Sequence, residues 1–293
     1  MARTPPIDRR LDGVVAVVTG ANGGVGREIT RNLARAGATV VMVCRDPQRA
    51  DAAAKDIRET VSSPSLEIEC ADLSRLDDVR RAAERILARH SKVGLLVSNA
   101  AIWTAVRMTN DEGLELTFAT NVLSHHLLTN LLLPRLIASA PARIVNVASR
   151  LAYGLDLGDP MIERSRFDGR GAYARTKQAN RMLTWALADA LVGRRVTANA
   201  VHPGTVSTEL FADHPGIIGR LGRMYFKHLG VSAAEGADTP SWLAGSAEIE
   251  GASGLFFAKR SARPCAFTDR ERVRALVAIC DRLTNSSLEE AAK

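Results

Sequence analysis

The stretch VVAVVTGANGGVG, residues 14–26, decides the fold class. Its first half, Val14–Thr19, is an apolar run rich in β-branched residues, which is typical of a buried strand. Its second half is a glycine-rich turn that leads into a helical pattern from about Gly24 to Ala36, with Gly37 as a helix-ending residue. A strand, a glycine-rich turn and a helix in this order are the context in which a backbone turn binds a pyrophosphate.

Short apolar strands and helical segments alternate along the rest of the chain, which is typical of a parallel sheet covered on both faces. Further strands are predicted at Thr39–Val43, Leu66–Cys70, Val93–Ser98, Arg143–Ala148, Val196–Val201 and Gly254–Ala258. Further helices are predicted at Pro47–Thr60, Leu76–Arg89, Asp111–Ala138 (with Thr120 as a candidate break) and Ala172–Leu191. The expected fold is a Rossmann-type, doubly wound α/β fold with a seven-stranded, mainly parallel sheet and helices on both faces.

The whole chain, residues 1–293, is expected to be one domain with a core at about 12–260 and a C-terminal extension at about 261–293. Gly154–Gly171 is rich in Gly, Asp and Arg and is expected to be a loop. The insertion at 204–230 carries apolar residues at helical spacing with basic residues between them. We interpret it as a lid over a lipophilic substrate; a membrane-surface contact and ordinary packing are the alternatives.

Composition places the chain among ordinary globular proteins, with 46% hydrophobic and 24% charged residues. Four widely spaced cysteines without a CxxC pair argue against a zinc site and fit a reducing compartment. Segment 1–10 has no apolar signal-peptide core. The uncharged run Leu116–Pro134 contains asparagine and histidine, which favours a buried amphipathic helix over a membrane span. We therefore expect a cytoplasmic protein with no integral membrane segment.

The net charge of +7 suits an anionic ligand such as a phosphorylated cofactor, but the scatter of arginines along helical segments favours ordinary solvated surfaces as its explanation. A nucleic-acid partner is not expected, because no basic run with interleaved aromatics is present and aromatic residues make up only 4% of the chain.

The glycine-rich turn predicts a dinucleotide site, because Gly20, Gly24 and Gly26 let the backbone approach a pyrophosphate at a helix N-terminus. At the end of the second strand, an acidic residue would bind the ribose 2′-hydroxyl of NAD, but this chain has Arg45 there. A guanidinium suits a 2′-phosphate, so the sequence favours NADP(H). The alternative for Arg45 is an exposed surface charge, and Asp46 is interpreted as the start of the next loop.

Tyr173 and Lys177 lie four residues apart in a predicted helix, which places both side chains on one face. An ammonium beside a phenol favours phenolate and lowers the tyrosine pKa, so the pair suits proton transfer near neutral pH. The alternative interpretation of the pair is a solvated lysine beside a half-buried tyrosine without a catalytic role, since such a pair has the same spacing.

With these residues in view, the chain resembles the short-chain dehydrogenase/reductase family over about residues 12–260. The resemblance rests on TGxxxGxG at 19–26, Ser98–Ala101, the YxxxK pair and the Pro-Gly segment after the sixth strand. It implies the catalytic set Asn121, Ser149, Tyr173 and Lys177. It implies a cofactor site formed by Gly20, Asn22, Gly24, Val25, Gly26, Arg45, Asp72, Leu73, Asn99, Ala100, Tyr173, Lys177, Pro203, Gly204, Val206 and Thr208.

Within the family, the chain is most similar to the retinol dehydrogenase-like branch, on motifs such as Cys44–Asp46 and Lys177–Asn180 and on the gap of 24 residues from Ser149 to Tyr173. Protochlorophyllide reductases share part of this pattern. The chain departs from the family at Ser98 and Ala101, which replace an asparagine and a glycine. Both residues are small, so we expect a local backbone adjustment.

The resemblance implies an NADP(H)-dependent oxidoreductase that acts on a carbonyl or alcohol of a lipophilic or aromatic small molecule. Tyr173 would be the general acid/base, Lys177 would lower its pKa and bind the nicotinamide ribose, and Ser149 would bind the substrate oxygen. Asn121 would hold a water that links Lys177 to solvent. The competing hypothesis is a non-catalytic NADP(H)-binding sensor or scaffold with the same fold.

Two further expectations concern partners and metals. The two long helices, Asp111–Ala138 and Ala172–Leu191, suit packing against copies of the chain, as in family relatives, so a homo-oligomer is a candidate. Three histidines, His125, His126 and His202, lack metal-ligand spacing, so we interpret them as packing residues and expect no metal site.

Overall fold

One sheet contains all eight strands of the residues that the structure, a computed structural model, describes: 5–205 and 231–293. The strands are β1 (Val15–Thr19), β2 (Thr39–Cys44), β3 (Ser65–Cys70), β4 (Leu95–Ser98), β5 (Ala142–Val147), β6 (Val196–His202), β7 (Phe256–Ala258) and β8 (Ser261–Arg263). Their order is β3-β2-β1-β4-β5-β6-β7-β8, and every pairing is parallel except β7 with β8. The Rossmann-type prediction is confirmed.

Helices cover both faces of this sheet. They are α1 (Gly24–Arg35), α2 (Pro47–Thr60), α3 (Leu76–Arg89), α4 (Leu116–Phe118), α5 (Ser124–Ala138), α6 (Gly169–Ala190), α7 (Ala233–Gly245), α8 (Arg270–Thr284) and α9 (Leu288–Ala291). The apolar sides of α1, α2 and α7 fill one layer. Those of α3, α5, α6, α8 and α9 fill the other. Burial of both faces explains why β1, β2 and β4 consist almost entirely of apolar residues.

The eighth strand corrects the predicted count of seven. Strand β8 is short, and its three residues, of which two are polar, are all exposed, so the segment has no apolar run that could have predicted it. The turn that pairs it with β7 is made by Lys259 and Arg260, with φ of 53° and 56°. Because such turns usually use glycine or asparagine, this hairpin had no recognisable turn signal in the sequence.

Two predicted helix starts are also wrong, and each is corrected by a capping side chain. Glu115 accepts hydrogen bonds from the backbone N–H groups of Thr117 and Phe118, so the helix begins at Leu116 and not at Asp111. Asp168 caps α6 in the same way, so α6 begins at Gly169, inside the predicted loop.

The candidate break near Thr120 is a π-helical turn, Ala119–Leu123, which joins α4 and α5 without interrupting the helix. Helix α5 is buried on nearly all sides. The prediction that this segment is an amphipathic helix is therefore wrong, although the prediction that it is buried is right. No helix within residues 5–205 and 231–293 is long and apolar enough to span a membrane.

The C-terminal extension lies on α5 and α6. Its Leu276 and Leu288 join the apolar layer of those helices, and the Asp281 carboxylate lies 2.6 Å from Nε2 of His126 on α5. Part of the surface on which we expected copies to pack is thus covered by the chain itself. Packing of copies against the rest of these helices stays a prediction.

Candidate active site

The glycine-rich turn after β1 has the conformation that its glycines permit. Gly20 and Gly24 have φ of +64° and +49°, values that favour glycine. Gly26 is required for another reason, because a Cβ there would lie 2.1 Å from the Gly20 carbonyl oxygen. The turn therefore leaves the N-terminus of α1 open toward the end of the sheet, as a pyrophosphate site requires.

A hydrogen-bonded junction fixes the end of β4 to the end of β1. The hydroxyl oxygen of Thr19 accepts from the backbone N–H groups of Asn99 and Ala100 at 2.9 and 3.0 Å. The Asn99 amide donates to the Thr19 carbonyl at 3.0 Å. Ser98, one of the two departures, is fully buried, and its hydroxyl has no partner among the described residues. The junction positions the residues at the point where the strand order reverses, which is where open α/β sheets bind ligands.

Arg45 lies exposed at the end of β2 and forms no ion pair within 5–205 and 231–293. The neighbouring Asp46 was predicted to start a loop, but it is the N-cap of α2. Its carboxylate accepts a hydrogen bond from the N–H of Arg49 at 3.1 Å. The next strand contributes Asp72, whose carboxylate accepts from Ser74 at 2.8 and 2.9 Å. A free guanidinium is thus available at one end of the site.

Lys177 lies behind Tyr173 on α6 and is almost fully buried. Its Nζ donates to the carbonyl of Val147 at 2.9 Å and lies 5.4 Å from the centre of the Tyr173 ring. Ser149 follows β5, and its hydroxyl oxygen accepts from the Leu151 N–H at 3.0 Å. The helix face that the four-residue spacing predicts therefore points at the end of β5, where Ser149 lies.

Burial controls the proton affinity of this pair. It lowers the pKa of Lys177 from 10.5 to about 8 and raises the pKa of Tyr173 above its usual value. The net direction for Tyr173 in the free protein is therefore opposite to the lowering that the sequence argument expects from the ammonium alone. Loss of hydration around the phenol causes this rise in the Tyr173 pKa.

Asn121, at the centre of the π-helical turn, is fully buried. Its side-chain oxygen accepts from the N–H of Ile102 at 2.8 Å, and its nitrogen donates to the Ile102 carbonyl at 2.9 Å. The same nitrogen donates to the Thr176 hydroxyl at 3.1 Å. The amide therefore fastens the segment after β4 to α6, and both of its N–H groups are used in doing so.

A cleft of 1120 Å³ runs along the carboxyl ends of the central strands and joins these parts into one site. The predicted residues that line it are Gly20, Asn22, Gly24, Val25, Gly26, Arg45, Asp72, Leu73, Asn99, Ala100, Ser149, Tyr173, Lys177, Pro203 and Gly204. Asn121 lies behind its wall. Val206, Thr208 and the insertion from residue 206 onward lie outside the described residues.

The cleft also contains residues that were not predicted as site residues, including Ile102, Leu116, Arg150, Leu151 and His202. Ile102 follows β4, Arg150 and Leu151 follow β5, and His202 ends β6, so strand-end position was the signal that could have found these four. Leu116 begins α4 and had no such signal. The N–H of Arg150 donates to Nδ1 of His202 at 3.4 Å. Burial, followed by the charge of Arg150, lowers the His202 pKa to about 4, so this ring is neutral at pH 7.

His125 is fully buried behind the site, and its pKa falls to about 3 for the same reason, with the Lys177 charge as a second cause. In the part of the chain that the structure describes, no group of three His, Cys, Asp or Glu residues could hold a metal ion.

Comparison with known proteins places these observations among relatives. The family model described as short chain dehydrogenase matches residues 14–215. Retinol dehydrogenase 13 from Homo sapiens is 36% identical over 95% of this chain and 86% of its own length. An uncharacterized protein from Mycobacterium paratuberculosis has a similar structure, with a TM-score of 0.76 at 28% identity over 95% of this chain and 96% of its own.

A protein from Beutenbergia cavernae, described as an NAD(P)-dependent gluconate 5-dehydrogenase and solved with NADP bound at low occupancy, has a TM-score of 0.69. It is 27% identical, over 87% of this chain and 97% of its own.

Proposed function

The chain belongs to the short-chain dehydrogenase/reductase family, in its retinol dehydrogenase-like branch, and we propose that it is an NADP(H)-dependent carbonyl reductase or alcohol dehydrogenase with Tyr173 as general acid/base. One observation carries the proposal. The glycine-rich turn, Arg45, Ser149, Tyr173 and Lys177 line a single cleft at the carboxyl edge of the sheet. A nicotinamide cofactor supplies the hydride chemistry when bound, and the chain's own residues supply binding and proton transfer.

The proton-transfer residues follow from their environment. In the reducing direction the Tyr173 hydroxyl donates a proton to the substrate oxygen, and its raised pKa keeps it protonated near neutral pH. Ser149 donates a hydrogen bond to the same oxygen as negative charge develops on it. Lys177 supplies a positive charge behind the phenol, which favours the transient phenolate. Asn121 holds the cleft wall in place through its side-chain hydrogen bonds to Ile102 and Thr176, and its role in holding a water that links Lys177 to solvent stays a prediction.

The proposed substrate is a lipophilic or aromatic carbonyl compound or alcohol. Ile102, Leu116 and Leu151 give apolar lining to the cleft that Ser149 also lines. The curated relatives are named for retinol, an apolar alcohol, which supports the same class of substrate.

A substrate screen tests the proposal. The purified full chain is assayed with NADPH and with NADH against apolar aldehydes, aromatic aldehydes and ketones. We expect NADPH oxidation that depends on an apolar or aromatic carbonyl compound. Binding of NADPH without turnover on any carbonyl compound would contradict the enzyme and support a sensor or scaffold.

The cofactor preference rests on Arg45 and has its own test. Replacing Arg45 with alanine removes a charge-assisted contact to the 2′-phosphate, which is worth about 1.5–3 kcal/mol, so the Kd for NADPH should rise about 10- to 150-fold. The Kd for NADH, which lacks this phosphate, should change little. Arg58→Ala, at the exposed far end of α2, is the matched control for loss of one positive charge. Equal effects on the two cofactors would overturn the role of Arg45.

A further inference from the structure

Thr176 lies between Tyr173 and Lys177 in the sequence of α6 but points away from the cleft. It is 1% exposed and does not line the cleft. Its hydroxyl donates to the Tyr173 carbonyl at 2.7 Å and accepts from the Asn121 side chain at 3.1 Å. Both polar functions of this hydroxyl are therefore used in contacts with residues of the active site.

We propose that Thr176 is a positioning residue, which fixes the turn of α6 that carries Tyr173 and Lys177 against the π-helical turn at Asn121. The inference rests on the proposed function for its effect on turnover, but the contact itself does not depend on it. Thr176 touches neither the cleft nor a reacting group, so it acts through its neighbours.

The contact connects three elements at one point. Asn121 donates to Thr176 and also exchanges two hydrogen bonds with the backbone of Ile102. Ile102, on the segment after β4, and Tyr173, on α6, both line the cleft. The hydroxyl of Thr176 thereby sets the separation between the wall after β4 and the proton-transfer pair on α6.

The geometry of the π-helical turn supports this role. A π turn is wider than an α turn and is often found at functional sites. Here it directs the Asn121 side chain sideways, toward Ile102 and Thr176. With the threonine hydroxyl removed, one buried N–H of Asn121 would have no acceptor, and the amide would have to turn or admit water.

A second threonine on the same helix provides a matched control. Thr184 is fully buried, donates to the Asn180 carbonyl at 2.7 Å, and accepts from the Asn146 side chain at 2.9 Å. Its bonding therefore copies that of Thr176, two turns further along α6 and away from the cleft. Replacing either threonine with valine removes a hydroxyl and keeps the side-chain shape.

The experiment compares Thr176→Val, Thr176→Ser and Thr184→Val in the full chain. We expect Thr176→Val to lower kcat about tenfold or more, because a buried N–H left without an acceptor costs about 1–3 kcal/mol. The Kd for NADPH should stay within about threefold of the parent value. Thr176→Ser should restore kcat. Thr184→Val should lower the unfolding temperature by about as much as Thr176→Val does, but it should leave kcat near the parental value.

A readout without turnover separates this inference from the proposed function. In the free protein, NMR titration of the Lys177 side chain should give a pKa of about 8. With Thr176→Val, water reaching the loosened turn should move it upward, while Thr184→Val leaves it unchanged. Equal effects of the two valine variants on kcat and on this titration would overturn the role of Thr176. A parent protein without turnover would contradict the proposed function, and the titration would still decide the role of Thr176.

Discussion

Replacing Tyr173 with phenylalanine is expected to lower kcat for carbonyl reduction by about 10²- to 10⁴-fold, the usual contribution of a general acid. The change removes one oxygen from a buried ring, and the phenyl group fills the same space. The Kd for NADPH should therefore stay within about threefold of the parent, since at most one hydrogen bond of a larger site is lost. Steady-state kinetics and a fluorescence titration with NADPH measure the two quantities.

Tyr153→Phe is the matched control, because Tyr153 lies on the loop after β5 and is 47% exposed. It should leave kcat unchanged. Undiminished turnover with Tyr173→Phe would show that another group donates the proton. A parallel loss of NADPH binding would show that the tyrosine acts mainly in binding the cofactor.

The fold could be predicted where one local pattern determines the structure. Helices α2 and α3 have the predicted bounds, because Pro47 suits the first position of α2 and the apolar spacing marks both helices. Strand β8 could not be predicted, because its pairing depends on a turn without glycine and on an edge that only the folded sheet provides. The start of α6 depended on a capping contact of Asp168 inside a loop-like segment.

The candidate site was predictable as a set of positions and not as a set of interactions. Strand ends and the four-residue helical spacing bring Ser149, Tyr173 and Lys177 to one cleft, and these follow from the topology. The partners of Asn121 depend on a π-helical turn, for which the sequence has no separate signal. The direction of the Tyr173 pKa depends on how completely the ring is desolvated, which is a property of packing.

Lys177 shows how the site opposes stability. Its ammonium is buried, and the pKa falls from 10.5 to about 8. Between these two pH values the unfolded chain binds more protons than the folded chain, so this lysine makes stability rise with pH across that window. Below pH 8 the whole penalty is present, and at about 1.4 kcal/mol per pKa unit it amounts to about 3 kcal/mol.

Replacing Lys177 with methionine should remove this stability penalty. It should also abolish most turnover, because the positive charge that favours the transient phenolate is lost. Relative to the parent, the variant should gain about 3 kcal/mol more stability at pH 7 than at pH 10.5, since the parent's lysine is largely neutral at the higher pH. The hydrogen bond to the Val147 carbonyl is lost at both pH values, so it lowers the absolute stability without changing this difference. Urea unfolding at the two pH values measures it.

The interpretation of that difference depends on which neighbours titrate in the same window. The pKa of His125 is about 3, so the ring stays neutral from pH 7 to 10.5 and does not contribute. Burial raises the pKa of Tyr173 in the folded protein above its ordinary value, so the folded chain keeps this phenol protonated over most of the window. Lys92→Met removes one exposed lysine and is the control for loss of a positive charge that is not buried. A Lys177→Met effect that is independent of pH would mean that the ammonium is hydrated in solution and that burial does not lower its pKa.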